Sequence, residues 1–249
     1  MPGGAAEQAA RRARSVRAGN AVKLSVIIPT LDEADGVAAA LRSLAPLRGR
    51  GHELILVDGG STDGTPDLAR DLCDRIVAAP ASRSGQMNAG ARLAQGDVLL
   101  FLHADSRLPE NADRLVLDAV AGGGRDWGRF DVRIDSRNAL LRLVETTMNW
   151  RSRVTHVCTG DQGLFVRRKT FDAIGGFPAQ ELMEDIAISK RLRRLSAPVC
   201  LRDRILTSAR RWENRGVLRT IVLMGWLRLQ YFLGVSPARL ARSYGVRSH

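Results

Sequence analysis

Aromatic residues are scarce in this chain, at 5% of 249 positions, and cysteine is scarcer still, with three residues. Cys73, Cys158 and Cys200 form no C-x-x-C pair and are odd in number, which excludes a disulfide scaffold or zinc ribbon and fits a reducing compartment. No stretch of about 18 apolar residues runs free of charge, so no clean membrane-spanning helix is expected. The nearest, Val217 to Val235, is interrupted by Arg219 and Arg228, which stand on opposite faces of a helix turning about 100° per residue. That spoils a clean two-faced interfacial helix too. A helix partly buried against the body is expected, with contact at a membrane surface as the alternative. The first 22 residues contain no apolar core, do not read as a secretory signal, and are expected to form a flexible basic tail. Neither G-x-x-x-x-G-K-S/T nor G-x-G-x-x-G occurs, which turns the reading away from kinases and dehydrogenases.

What the chain does have is positive charge, a formal +12, and its distribution is informative. Residues 190–249 hold 14 basic and 2 acidic side chains, and residues 1–23 hold 5 and 1. Residues 24–189 hold 19 and 23, so the central body is slightly acidic. A fold basic throughout, as nucleic-acid binding would favour, is not indicated, and no base-stacking motif is visible. Trp226, Tyr231 and Phe232 fall in the apolar C-terminal segment. No nucleic-acid partner is expected. The composition, 45% hydrophobic and 26% charged, is that of a soluble globular chain, and the length allows one large domain.

Four short apolar runs, Leu24–Ile28, Leu54–Val57, Arg75–Val77 and Val98–Leu102, show no polar alternation. Helix-like stretches at Glu33–Leu44, Thr65–Leu72 and Arg83–Ala94 separate them, and Pro109 suits the first turn of another helix running to Val120. Apolar strands spaced by helices indicate an α/β fold with a mostly parallel sheet covered on both faces. On the third helix Met87, Gly90, Ala91 and Ala94 share a face whose small residues let it lie close to the sheet. The second half reads as strands at Arg129–Ile134 and Gln162–Val166, helices at Asn138–Arg153 and Leu182–Leu195, and short strands near Val199 and Ile205.

Three of the first four runs lead into an acid: Asp32 with Glu33, then Asp58, then Asp105. The carboxyl ends of strands in an open parallel sheet form the ligand crevice. Carboxylates converging there suit ribose hydroxyls and a divalent cation shared with substrate phosphates. Asp32 alone could equally cap the following helix.

The strings LSVIIPTLDE (Leu24–Glu33), LILVDGGSTDGT (Leu54–Thr65) and GDVLLFLHADS (Gly96–Ser106) resemble family 2 glycosyltransferases of the GT-A fold. GDQGLFVRR (Gly160–Arg168), IGGFP (Ile174–Pro178) and MEDIAISKRLRR (Met183–Arg194) extend the resemblance over roughly residues 23–245. Gln86-Met87-Asn88-Ala89-Gly90 and His103-Ala104-Asp105 are similar to small stand-alone bacterial members linked to arsenosugar biosynthesis and, more loosely, to glycosylation of carotenoid acids.

The resemblance implies a Rossmann-like nucleotide-binding sheet over residues 23–210, with a nucleotide-sugar half at 23–106 and an acceptor half at 107–210. Residues 211–249 follow as basic amphipathic helices packed on the domain or at a membrane surface. It implies inverting, metal-dependent transfer of a single sugar from a nucleotide-diphospho-sugar to a small-molecule or lipid-like hydroxyl acceptor. Apart from the resemblance, the cysteine usage leads us to expect a cytoplasmic setting, and the Arg residues interleaved with Leu223–Phe232 a contact at an anionic inner membrane face. Asp58 is assigned to the nucleobase, Asp32 and Glu33 to base and ribose, and Asp105 to Mg2+ or Mn2+ on the donor diphosphate. His103 replaces the first acid of the family's metal motif, and is either a second ligand or a packed histidine. Arg83 is a phosphate contact or a solvated surface residue. Asp185 is the catalytic base, with Glu184 beside it in the pair. Asp161 and Gln162 either bind the acceptor or stabilise a Gly-rich turn. Ser208-Ala209-Arg210-Arg211-Trp212 resembles the Q-x-x-R-W motif of processive relatives with Ser208 in place of Gln. Arg211 then meets the diphosphate and Trp212 the acceptor, and loss of the Gln favours single-sugar transfer. The alternatives are a sugar-phosphate nucleotidyltransferase, which would show a Gly-rich loop after the first strand, and a non-catalytic adaptor binding RNA or anionic membrane.

Overall fold

A computed structural model describes residues 22–244, so the expected basic tail lies outside the described residues except for Val22. In chain order the elements are β1 (Leu24–Thr30), α1 (Ala34–Ser43), α2 (Ala45–Gly49), β2 (Glu53–Asp58), α3 (Thr65–Ala69), β3 (Arg75–Ala78) and α4 (Arg83–Leu93). There follow β4 (Val98–Phe101), β5 (Ser106–Arg107), α5 (Ala112–Ala121), β6 (Trp127–Asp135), α6 (Ala139–Thr155) and a 3-10 turn at Gly160–Gln162. The chain continues through β7 (Leu164–Arg167), α7 (Arg168–Ala173), α8 (Glu184–Leu192), β8 (Val199–Ser208), α9 (Arg210–Arg215), α10 (Val217–Phe232) and α11 (Pro237–Tyr244).

The strands form one sheet in the order β3-β2-β1-β4-β7-β6-β8-β5. β3, β2, β1 and β4 run parallel, whereas β7 is antiparallel to both β4 and β6. The strand order reverses between β1 and β4, which opens a crevice beyond their carboxyl ends. Period-two geometry divides each apolar run between two cores. Leu24, Val26, Ile28, Leu54, Leu56, Val98 and Leu100 pack with Val37, Leu41, Val116 and Val120 from α1 and α5. Ile27, Ile55, Val57, Leu99 and Phe101 pack on the opposite face with Met87, Ala91, Phe171 and Ile188 from α4, α7 and α8. Burial on both faces is why β1, β2 and β4 carry no polar alternation, and each enclosed Leu or Ile contributes about 1.5–3 kcal/mol. β3 departs from that expectation, being an edge strand whose residues are largely exposed.

Four further places depart from the sequence reading. Gln162 is not in a strand: Thr159 and Gln162 form a reciprocal capping box, and Gly163 at φ 60° turns the chain before β7 begins. The two short strands near Val199 and Ile205 are one, β8, whose ladder with β6 slips between Phe130 and Asp131. The exposed Arg202 and Asp203 sit at that slip and mimic a break in the sequence. Pro109 lies ahead of α5, not in its first turn, because Asn111 takes the N-cap position. Helix α8 begins at Glu184 because Met183 has φ 64°.

Helix α4 approaches the sheet through Gly90, where an added Cβ would stand 2.5 Å from Ile27 Cγ2 and 2.9 Å from Val57 Cγ2. Overpacking at such a contact costs about 1–3 kcal/mol. Gly90→Ala should therefore lower the thermal midpoint despite its better helix propensity, and a melt followed by circular dichroism checks this.

Candidate active site

One end of the crevice is built around the exits of β1 and β2. The Gln86 side-chain amide on α4 donates from Nε2 to Thr30 O and Val57 O, both at 2.8 Å, joining the two strand ends. Asp58, buried, accepts from Gly60 N and Ser61 N at 2.9 Å and from Ser61 Oγ at 2.5 Å, so its carboxylate is committed to its own loop. Asp32, at φ 51°, is exposed and accepts Thr62 N at 2.9 Å, while its own N–H donates to Ser61 Oγ. It does not cap α1. That role falls to Asp63, which accepts Ala34 N at 2.8 Å and the Thr65 hydroxyl at 2.6 Å. The Thr65 hydroxyl and the Ala34 amide hold the Asp63 carboxyl below the usual carboxylate range. Glu33 accepts Arg210 Nη2 at 3.0 Å, bringing the end of β8 over the donor loops.

The strand-end acids, expected to serve ribose hydroxyls and a divalent cation, differ in how far they are already engaged. Asp58 is spent on loop hydrogen bonds, and among the described residues no three His, Cys, Asp or Glu side chains gather to hold a metal. Asp105 is exposed: its carbonyl accepts Ser208 N at 3.2 Å, its carboxylate meets Ser106 Oγ at 3.3 Å, and Arg211 lies within its electrostatic reach. A single free carboxylate fits a Mg2+ or Mn2+ ion held jointly with substrate phosphates, since such ions keep few protein ligands. His103 turns the other way: its Nδ1 lies 3.2 Å from Asp161 Oδ1 and its ring packs on Gly160. It is thus a packed partner of Asp161. Asp105 borders a cleft of about 300 Å³ lined also by Arg107, Asp135, Ser208, Arg210 and Glu213.

Beyond β4 stands the acidic pair. Met183, buried and left-handed, delivers Glu184 and Asp185 at the first turn of α8. Asp185 Oδ2 accepts Gly160 N at 3.1 Å and its Oδ1 accepts Ile186 N at 2.7 Å. Glu184 is buried, with Arg83 Nη1 at 3.9 Å from Oε1. Burial, and then the neighbouring Asp185 charge, push the Glu184 carboxyl up. Asp161 goes the other way: burial opposes its ionisation, but the His103 hydrogen bond and the charges of His103, Arg211 and Arg83 lower it to about 2. Asp161, His103, Gly160, Glu184 and Asp185 thus share one corner, with His103, Gly160 and the pair lining a small enclosed cavity there.

Two expected acceptor contacts are placed elsewhere. Gln162 is fully buried: Oε1 accepts Thr159 N at 3.1 Å and Nε2 donates to Asn149 Oδ1 at 3.3 Å, so it stabilises the turn. Trp212 is half-buried against the cluster of Val132, Ile134, Leu141 and Met148. Arg211 is exposed, within reach of both Asp105 and Asp161. The sequence reading did not single out Asn88, whose amide donates to Phe177 O and accepts Phe177 N, both at 2.9 Å. The only signal for it is its place in the Gln86–Gly90 string.

The model of the Glycosyl transferase family 2 matches residues 25–176. A Mycobacterium tuberculosis "PGL/p-HBAD biosynthesis glycosyltransferase" is 44% identical over 170 residues, covering 61% of this chain and 62% of the relative. The chain therefore spans less than two thirds of that relative's length. Among solved structures, S. aureus TarS 1-349 with UDP-GlcNAc superposes at TM-score 0.62 with 18% identity, over 75% of this chain and 58% of that one. The Pyrobaculum calidifontis mannosyltransferase PcManGT, in complex with GDP-Man and Mn2+, superposes at 0.60 with 20% identity, over 76% and 57%.

The raised Glu184 carboxyl sets a sign for stability. A carboxyl whose folded pKa exceeds its unfolded value adds stability at low pH and loses it as pH rises through the folded pKa. Glu184→Gln should therefore melt at a higher temperature than the parent at neutral pH, and the gap should close as pH falls below the ordinary glutamate value of 4.5. Melts at several pH values check this.

Proposed function

The chain belongs to glycosyltransferase family 2 and has the GT-A fold, and on that premise we propose that it transfers one sugar from a nucleotide-diphospho-sugar to a hydroxyl acceptor with inversion. The observation that carries the reading is Asp185, fixed by Gly160 N at the strained start of α8, on the acceptor side of the crevice. In an inverting transfer a carboxylate takes the acceptor hydroxyl's proton as that oxygen attacks the anomeric carbon. The bond from anomeric carbon to diphosphate breaks in the same step, and its electron pair leaves on the phosphate oxygen. Asp185 receives the proton, and Glu184 keeps the neighbourhood acidic. Arg83 and Arg211 stand to meet the diphosphate, with Asp32 and Glu33 toward base and ribose, and Asp58 acts through the loop it shapes. Asp161, fixed by His103, is the acceptor-side carboxylate. When bound, Mg2+ or Mn2+ held by Asp105 supplies Lewis-acid stabilisation of the leaving diphosphate. Ser208 in place of the processive relatives' Gln supports transfer of a single residue. Family membership weighs against the nucleotidyltransferase and adaptor alternatives.

The acceptor side adds a second element. Leu140, Leu143, Trp150 and Val154 form an exposed apolar stripe along α6, and Leu218, Val222, Trp226, Leu229 and Phe232 are exposed along α10, which packs on α6. Apolar surface on this scale marks an interaction site. The basic excess of the C-terminal quarter complements anionic lipid. We propose that this face rests on an anionic membrane and that the acceptor is lipid-like; no described helix is long and apolar enough to cross one.

Asp185→Asn should lower transfer by about 10²–10⁴-fold while a nucleotide-sugar still raises the melting temperature, and unchanged turnover would reject the base assignment. Asp105→Ala should remove the Mn2+-dependent part of that shift. On vesicles containing anionic lipid, Trp150→Ser combined with Trp226→Ser should reduce co-sedimentation; parent protein that stays in the supernatant at low salt would refute the membrane contact.

A further inference from the structure

Two arginines beside the acidic pair are left without partners. Arg151 on α6 and Arg228 on α10 make no side-chain hydrogen bond or ion pair among the described residues, and Arg151 Nε, Arg151 Nη2 and Arg228 Nε are shut off from solvent. Their neighbour Arg129 shows the contrast. It is completely buried, yet its Nη groups donate to Asp131 Oδ1, Phe130 O and Asn149 O. Burying an unanswered cation costs free energy, and burial together with the Arg228 charge lowers Arg151 to about 10, still a cation at neutral pH.

The fold sets these two cations at the base. Helix α10 packs on α6, and its Leu227 is buried with Met183 and Ile186, the residues that bracket the acidic pair. Arg228 follows Leu227 directly. Arg151 lies within electrostatic reach of Arg228, Asp185 and Cys158. Both acids thus have a guanidinium nearby: Arg83 Nη1 stands 3.9 Å from Glu184 Oε1, and Arg151 is within electrostatic reach of Asp185 without bonding to it. Next to the cations in sequence stand Trp150 and Leu229, both exposed members of the apolar stripes.

We propose that Arg151 and Arg228 form an anion subsite beside Asp185 that holds a phosphate or carboxylate group of the acceptor. This rests on the transferase reading and extends it: the acceptor is an amphiphile with an anionic head, its head between α6 and α10 and its apolar part on their outer faces. The oxyanion answers both guanidiniums at once, which no protein group among the described residues does. It also fixes the acceptor's orientation, so that a hydroxyl near the anionic head is the one presented to Asp185.

The test uses the full chain with dodecyl phosphate and, as a neutral control of equal chain length, dodecyl maltoside. Calorimetric titration at low salt should give binding of dodecyl phosphate at least tenfold tighter than of the maltoside. Arg151→Gln and Arg228→Gln should each lose most of that preference, and Arg151→Lys should keep part of it. Binding of UDP or GDP with Mn2+, measured in parallel, reports on the donor half and should persist in all three variants. Competition by inorganic phosphate assigns the site to a phosphate that need not be lipid-borne, and failure to compete assigns it to a lipid headgroup; both support the subsite. Equal binding of the two amphiphiles by the parent, or an undiminished preference in both Gln variants, overturns it. Should either Gln variant misfold, the Lys variant and the parent comparison still decide. A phosphate preference without any nucleotide binding would retain the subsite and reject the transferase reading, so the two fail separately.

Discussion

Everything in the crevice depends on how one buried amide holds two strand ends. β1 and β2 finish with buried carbonyls, Thr30 O accepting Gly59 N at 2.8 Å and Val57 O the Thr30 hydroxyl at 3.4 Å, and each has a second lone pair to offer. Gln86 answers both from a single nitrogen and so fixes the separation of the loops that leave those strands. Gly59 allows this, since a Cβ there would stand 3.1 Å from Gln86 Nε2. Two residues along the same helix, Asn88 clasps the backbone of Phe177 in the segment that leads to the acidic pair. One helix therefore sets the loops after β1 and β2 and the approach to the acidic pair relative to each other, and it can sit close enough to do so because Gly90 has no side chain.

The local electrostatics follow from that placement. Two carboxyls in one corner are driven apart, Glu184 upward by burial and its neighbour, Asp161 downward by His103 and the surrounding guanidiniums. Opposed shifts of this kind bias one carboxyl toward holding a proton and the other toward staying ionised. The slightly acidic body and the basic C-terminal quarter are the same division on a larger scale: the carboxylates sit in the sheet crevice, and the cations come from β8 and the helices after it, with Arg210 reaching back to Glu33.

Much of this was readable from the residues. The apolar runs of β1, β2 and β4, the acid that follows each of them and the small face of α4 follow from local pattern, because a strand buried on both sides has only one way to look. Asp185 is reached through the family resemblance instead. What pattern could not supply was the partner of each polar group. Asp161 and Gln162 are adjacent in one turn, yet the first faces the crevice corner and the second is sealed inside against Asn149. Asp32 has the sequence of a cap, but Asp63, about thirty positions away in chain order, takes the role because β1 and β2 are neighbours in the sheet. Arg202 and Asp203 look like a strand break and are instead a slip in one long ladder. Each of these is decided by which strands pair, and charge counts and periodicity do not carry that information.

Met183 has a consequence for where the catalytic unit ends. A non-glycine side chain is held in left-handed backbone only when its surroundings outweigh the strain, and the cover over Met183 includes Leu227 and Leu240 from the last two helices. The packing that supports the acidic pair therefore extends beyond β8, past the point where the sheet is complete. A fragment trimmed at the last strand would keep every strand and every acid, and still lose the lid that holds the first turn of α8 in place.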